Sequence, residues 1–507
     1  MNGIVLKSRS RSRRWLFRLL AIVCGLLPFV VLEFSLSIAD VGRRDATDDP
    51  FVGFAEIVPL FELSEDGTKY EIAERRRKFF AHDEFPVEKG PDTFRIFCLG
   101  GSTVQGRPYS IQTSFTTFLR IALEEADPKR NWEVVNCGGI SYASYRLVPI
   151  LKECLNYEPD LFIICTGHNE FLEDRSYGHI KARPTWIHQP TTWLMNSRTV
   201  TVASQLFGEQ QLHAKEVLPT DADAMLDYRD GIDAFHRDEA WNAAVAMHFK
   251  SNLQRMVEIA RGANVSVLVM QPPSNLSGIA PFKSVPSDGL DSSQISNLEG
   301  EKERARDLYK SDLNAAIKVW QEIVKTDPAS AKNWFELGRC LEIQRREIEA
   351  RTAYIEARDR DVCPLRMTTP LEHALHQVAA ENDVPLLNLH ELLEQQTSNG
   401  ILGDNWLVDH VHPNFEGHYE IALAIATWMN ETSMVRIEHP QAWESASRKS
   451  FAQHLDALDR AYFHLGERAL ESLRGWTQGD RDGKPVQERF PHRFQNKQTE
   501  TSQTGAP

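Results

Sequence analysis

Five short apolar runs, rich in β-branched and aromatic residues, alternate along the chain with segments whose apolar positions recur every three or four residues. The runs are Phe94–Leu99, Trp132–Asn136, Leu161–Cys165, Val265–Met270 and Val384–Asn388. The helical patterns between them cover 113–126, 143–155, 243–262 and 370–382. A strand that returns to its own sheet through a helix runs parallel to its neighbour. The pattern therefore predicts an α/β fold, a three-layer sandwich around a five-stranded parallel sheet. Folds of this kind gather functional groups at the carboxyl ends of the strands, so chemistry is expected from the residues just after each run.

At 507 residues, with 42 % hydrophobic and 25 % charged residues, the composition is that of a folded globular chain with room for more than one domain. A formal charge of −14 argues against nucleic acid as a partner, because such proteins present a basic stripe to phosphates. The basic run Lys7, Arg9, Arg11, Arg13, Arg14 and Arg18 leads instead into an apolar stretch, Leu19–Leu32, that resumes after Glu33. Residues 1–14 read as a cytoplasmic basic tail and 15–39 as a transmembrane signal anchor, with everything beyond on the extracytoplasmic side. A cleaved signal peptide ending near Ser37-Ile38-Ala39 is the competing reading. The seven cysteines are scattered and form no CxxC or zinc pattern, so neither a disulfide framework nor a structural metal is expected.

Two insertions interrupt the alternation. Residues 172–242 show no clear period. In the second, Ala316, Trp320 and Asp327 recur 34 positions on as Ala350, Tyr354 and Asp361, and Trp334-Phe335-Glu336-Leu337-Gly338 matches the start of a tetratricopeptide helix pair. Residues 301–362 thus resemble a tetratricopeptide-like helical insertion, a place where a protein partner would dock. A helical segment follows over 436–475, and 476–507 has the composition of a disordered tail.

Four polar pieces stand at the predicted strand ends. The first run ends in Gly100-Gly101-Ser102-Thr103-Val104-Gln105-Gly106, whose small residues allow a sharp turn that exposes Ser102. A phosphate-binding loop fails here, because Arg107 and Pro108 stand where Lys and Ser/Thr are needed. The second piece is Asn136-Cys137-Gly138-Gly139, in which either glycine can present a backbone N–H. The third, Thr166-Gly167-His168-Asn169-Glu170, offers the Asn169 amide to an oxyanion, with His168 and Glu170 as neighbours able to shape specificity. The fourth, Val408-Asp409-His410-Val411-His412-Pro413, spaces Asp409 and His412 so that carboxylate and imidazole can meet, with His410 the alternative base. Gln271-Pro272-Pro273-Ser274-Asn275 follows the fourth run and reads as a pocket rim.

Together the four pieces resemble the SGNH (GDSL-type) hydrolase and esterase superfamily, across 91–300 and 363–435. The resemblance implies Ser102 as nucleophile, His412 as its base and Asp409 as the residue that orients the base. It also implies an oxyanion hole of the Ser102 and Gly138 N–H groups and the Asn169 side chain. The family's Gly-Asp-Ser is here Gly100-Gly101-Ser102, and its Gly-x-Asn-Asp is Gly167-His168-Asn169-Glu170. Neither departure removes a proton-transfer group. The implied activity is hydrolysis of an acyl ester through an acyl-enzyme, without metal or organic cofactor, on a carbohydrate or envelope polymer. Two alternatives stay open: an O-acyltransferase acting on a glycan, and a non-catalytic tetratricopeptide scaffold at the membrane.

Overall fold

A computed structural model describes residues 11–39, 49, 51–177, 198–199, 202, 216–227 and 231–476 of the chain. The chain forms two compact units, Met1–Gly53 with Ser176–Val217, and Phe54–Arg175 with Leu218–Pro507.

In the first unit, helix α1 spans Arg11–Ile38 where the anchor was expected. Its Glu33 carboxylate accepts hydrogen bonds from the backbone N–H groups of Arg198 at 2.7 Å and Thr199 at 2.9 Å. Trp15, Leu20, Leu27, Val30, Phe34 and Ile38 are exposed. Among the described residues, no helix is long and apolar enough to cross a membrane. Many α1 side chains, most of 1–14, most of the 172–242 insertion and nearly all of the 476–507 tail lie outside the described residues.

In the second unit, a small antiparallel sheet of β1 (Phe61–Leu63), β2 (Lys69–Ile72) and β3 (Glu84–Pro86) precedes the main sheet. The main sheet comprises β4 (Thr93–Gly100), β5 (Asn131–Gly138), β6 (Leu161–Cys165), β7 (Ser266–Gln271) and β8 (Leu386–Asn388). All five are parallel, in the order β8-β7-β6-β4-β5. Every residue of β6 is buried, as a strand covered on both faces requires. The last strand begins at Leu386 rather than Val384, because Asp383 turns through a φ of 48° and the Val384 N–H still serves the preceding helix at Ala379.

The order places β4, first of the five in sequence, between β5 on one side and β6 on the other. The chain leaves β4 toward one edge and later returns to build toward the other, so a crevice opens outside the carboxyl end of β4. Gly100 lies level with Gly138 of β5 and Cys165 of β6, which brings the loops after all three strands to that crevice.

Helix α2 (Ser102–Gln105) is a single turn at the end of β4, and α3 (Phe115–Ala126) covers one face of the sheet. The other face carries α4 (Ser144–Cys154), α5 (Glu239–Gly262) and, beyond the insertion, α10 (Thr369–Glu381), with α5 packed against both others. Side-chain caps start two of these helices: Ser114 accepts the Thr116 N–H, and Asp238 accepts the Trp241 N–H.

Helices α6 (Ser292–Ser311), α7 (Leu313–Thr326), α8 (Ala331–Ile343) and α9 (Glu347–Asp359) form the insertion, which begins nine residues ahead of the expected 301. Their core holds Trp320, Phe335, Leu341 and Tyr354. Asp327 and Asp361, the residues that recur 34 apart, play equivalent roles. Each stitches the 282–287 loop by accepting backbone N–H groups, from Ser287 at 2.7 Å and from Phe282 at 2.7 Å respectively.

After β8 come α11 (Leu389–Glu394), α12 (Phe415–Glu431), α13 (Pro440–Ala457) and α14 (Arg460–Trp476). Phe118 of α3 meets Tyr419 of α12 and Phe451 of α13 in edge and tilted contacts, closing the core on that face. Tyr462 of α14 accepts the Ser110 N–H at 3.1 Å, and Arg474 donates to the Val408 carbonyl at 2.7 Å. The C-terminal segment thus holds two of the loops around the crevice.

Candidate active site

Ser102 is the first residue after the β4 turn, and its half-buried side chain points at His412. The Ser102 Oγ lies 2.8 Å from His412 Nε2, and His412 Nδ1 lies 2.7 Å from Asp409 Oδ2. Asp409 and His412 are each 2 % exposed. The other Asp409 oxygen accepts the N–H groups of Val411 at 2.9 Å and His412 at 2.8 Å, so a three-residue turn fixes both members of the pair. Burial pushes the Asp409 carboxyl up, yet the imidazoles of His412 and His410 and these hydrogen bonds outweigh it and hold it below the usual carboxylate range. Asp409 is therefore an anion that keeps the Nδ1 proton on His412 and leaves Nε2 to accept from Ser102.

His410, the alternative base, is elsewhere. Its Nδ1 stands 3.7 Å from Asp409, its carbonyl accepts the Asn275 N–H, and its ring packs edge-on against Phe282. His168 is buried too. Its Nδ1 accepts the Met367 N–H at 3.1 Å. Burial, reinforced by His410 and His412, drives its pKa well below the ordinary histidine value and keeps the ring neutral. Glu170 is 0 % exposed and accepts the Ser144 N–H at 2.8 Å and hydroxyl at 2.9 Å, capping α4. It anchors the loop between β5 and α4.

The Asn169 amide nitrogen donates to the Tyr142 carbonyl at 3.0 Å, which leaves its second proton. A Cβ placed on Gly101 would come within 2.5 Å of that nitrogen, so the amide lies directly against the residue preceding Ser102. Glycine at 101 is what permits this approach.

Gly138, expected to supply an oxyanion donor, is not available. Strand β5 continues in register as far as Gly138, whose N–H donates to the Asn136 side chain at 3.0 Å. The next N–H, of Gly139, goes to the Gly100 carbonyl at 3.0 Å. The chain breaks away from the sheet only after this point, and Ser141 adopts a left-handed φ of 62°. Among the described residues, the N–H groups of Ser141 and Ser102 have no acceptor. The Tyr142 carbonyl, which follows Ser141, stands 3.5 Å from the Gly101 Cβ position. Ser102, Ser141 and Asn169 thus present the uncommitted donors beside the Ser102 hydroxyl. Sequence spacing points to a glycine here and passes over Ser141, because that residue carries a side chain.

Asn275 is a buttress rather than a rim. It is fully buried, donating to the Asp409 carbonyl at 3.0 Å and to Asp404 at 2.7 Å while accepting the Gly278 N–H at 2.8 Å. Arg366 donates to the Asn275 carbonyl at 2.8 Å and stands beside Asp361, which links the catalytic loop to the base of the helical insertion. Gln271 is likewise buried, and its side-chain oxygen lies 2.6 Å from His376 Nε2.

Among the described residues, one trio brings three metal-binding groups together: Glu71, His82 and Glu84 on the small sheet, with ligand atoms within 4.8 Å of one another. Glu71 and Glu84 already pair with Arg77 and Lys69, and the trio belongs to a different sheet from Ser102. The described cysteines carry free thiols.

No family model and no curated protein sequence matches the chain. A lipase/acylhydrolase from Enterococcus faecalis is similar in structure at 12 % identity and a TM-score of 0.31, covering 68 % of this chain and 99 % of that one. An acetyl-xylooligosaccharide esterase from Geobacillus Stearmophilus is similar at 12 % identity and a TM-score of 0.28, over 67 % of this chain and 94 % of that one. The solved structures similar to this chain also include a GDSL-like lipase from Bacteroides thetaiotaomicron, at 12 % identity and a TM-score of 0.27, over 69 % and 93 % of the two chains.

Proposed function

We propose that this protein is a serine esterase of the SGNH type, which hydrolyses an acyl ester through a covalent intermediate on Ser102. The observation that carries the reading is the unbroken relay from Ser102 Oγ to His412 Nε2 at 2.8 Å and from His412 Nδ1 to Asp409 at 2.7 Å. In the first half-reaction the Ser102 oxygen attacks the ester carbonyl while its proton passes to His412 Nε2. The oxyanion that forms takes hydrogen bonds from the N–H groups of Ser102 and Ser141 and from the Asn169 amide. Collapse expels the alcohol, which leaves with the proton from His412. Water then attacks the acyl-enzyme, gives its proton to His412 and releases the acid, and Ser102 recovers its proton. Asp409 stays ionised throughout and stabilises the imidazolium in each half.

The substrate we assign is an ester on a carbohydrate or envelope polymer, met outside the cytoplasm by a chain tethered through its N-terminus. The basic run ending at Arg18, ahead of apolar Leu19–Leu32, supports the tether. We keep the tetratricopeptide-like insertion as the docking place for a protein partner, supported by the 34-residue recurrence.

The test is turnover of 4-nitrophenyl acetate by the full chain beside Ser102→Ala and His412→Ala. Wild-type turnover with loss of at least about a thousandfold in each folded variant supports the reading. Turnover that survives Ser102→Ala refutes it.

A further inference from the structure

Arg107 carries a charge that the fold does not neutralise. The single turn α2 ends at Gly106, whose φ of 90° reverses the chain. The Ser102 carbonyl accepts the N–H groups of both Gly106 and Arg107 at 3.1 Å, so the Arg107 backbone is tied to the nucleophilic residue itself. The side chain is half-buried. Among the described residues it has no ion pair and no hydrogen bond, and the carboxylate it senses is that of Asp409.

Asp409 forms no ion pair with it and is engaged elsewhere. One of its oxygens holds His412 Nδ1, and the other holds the N–H groups of Val411 and His412. Three buried arginines in the same unit are answered by carboxylates, Arg146 by Glu173 at 2.5 Å, Arg95 by Glu133 at 2.5 Å and Arg358 by Glu372 at 2.6 Å, and Arg76 packs its guanidinium over the Phe80 and Tyr142 rings. Burial lowers the affinity of the Arg107 guanidinium for its proton, while Asp409 opposes the shift, which reports a cation partly stripped of water. Holding a partly desolvated charge without a partner costs stability. In a chain of net charge −14 with 71 acidic residues, a matching carboxylate is easily supplied, and none is.

We infer that Arg107 binds a carboxylate carried by the ester substrate, so that the enzyme prefers anionic esters to neutral ones. A guanidinium suits this role, since its planar fork can hold both oxygens of a carboxylate. It also offsets locally the repulsion that so acidic a chain exerts on an anionic substrate. The inference rests on the serine-ester reading above. The carboxylate can sit on the acyl side of the scissile bond, as in a succinate half-ester, or on the alcohol side, as in an acetylated uronic acid.

Both sources are tested with wild type, Arg107→Gln and Arg107→Lys as full chains. On the acyl side, mono-4-nitrophenyl succinate is compared with 4-nitrophenyl acetate. On the alcohol side, a mono-O-acetylated methyl glucuronide is compared with the corresponding methyl glucoside. In one arm the ratio of kcat/KM for the anionic over the neutral ester falls about tenfold to a hundredfold in Arg107→Gln, the loss of a charge-assisted hydrogen bond, with Arg107→Lys between the two. That arm identifies where the carboxylate sits. A ratio unchanged by Arg107→Gln in both arms overturns the inference while leaving the serine chemistry standing. Wild type that turns over no ester and leaves Ser102 unlabelled by a fluorophosphonate refutes the serine reading instead. Arg107 is then judged by calorimetric binding of monomethyl succinate and methyl glucuronide: weaker binding of one of them to Arg107→Gln supports the inference, and equal or absent binding overturns it.

Discussion

Replacing Gly101 by alanine should disable the enzyme without unfolding it. The backbone at 101, with φ −87° and ψ −158°, is extended and open to any residue, so alanine brings no conformational strain. The damage comes from contact. The new methyl would stand 2.5 Å from the Asn169 amide nitrogen, which must retreat by about 0.9 Å to reach the 3.4 Å of ordinary contact. The amide cannot retreat and keep both its 3.0 Å bond to the Tyr142 carbonyl and its place beside Ser102. Removal of one oxyanion donor typically costs about 2.7–4 kcal/mol, and a misplacement of about 1 Å has effects of similar order. We therefore expect kcat on 4-nitrophenyl acetate to fall about 10²- to 10³-fold in Gly101→Ala, with an unchanged circular dichroism spectrum and a melting temperature within a few degrees of wild type. Asn169→Ala should lose about as much. Because both substitutions remove the same donor, the double variant should resemble either single one rather than multiply their losses. Activity of Gly101→Ala within threefold of wild type, or fully multiplicative losses, would refute the assignment of Asn169 as a donor.

Two further outcomes follow from the buttress and from a buried carboxyl. Asn275→Ala leaves the Asp409 carbonyl, in a buried residue, without its side-chain partner, at about 1–3 kcal/mol, and also frees the exposed Asp404 and Gly278 N–H, which water can satisfy. A lower melting temperature together with a reduced kcat is expected, and a variant as active and stable as wild type would contradict the role. Burial pushes the Asp83 carboxyl up to about 6, against the opposing N–H groups of Asn136 and Glu84. With an unfolded value near 3.9, its contribution to stability is fully present below about pH 4 and is lost as pH rises through about 6, a change of up to about 3 kcal/mol. Melting curves of Asp83→Asn should lack this fall between pH 4 and pH 6, and identical pH profiles for variant and wild type would count against it.

The sheet was legible because its information is local. Runs such as Leu161–Cys165 are apolar at every position, and only a strand covered on both faces uses such a run. Ser102, Asn169, Asp409 and His412 could be singled out because each follows a run directly or belongs to a spaced motif. What escaped was set by hydrogen bonding across the sheet. Gly138 looked free as the last residue of a run, yet the register that levels it with Gly100 keeps it in the sheet, and Asn136 takes its N–H. The uncommitted donor at Ser141 arises from a positive φ on a residue that carries a side chain, and neither composition nor spacing signals that. Glu170 read as a neighbour able to shape specificity and Asn275 as part of a pocket rim, but both are buried because helix α4 needs a cap and the Asp409 loop needs a support. Arg107 was equally mute, since the absence of a partner can be seen only once every neighbour is in place.

The proposed chemistry requires that His412 activate Ser102. Fluorophosphonate labelling of the full chain, with the modified peptide located by mass spectrometry, tests it most directly. A single adduct is expected on Ser102, absent in Ser102→Ala and formed far more slowly in His412→Ala, where the hydroxyl loses its base. A folded wild-type protein that takes up no label, or takes it up at another residue, would rule out activation of Ser102 by His412.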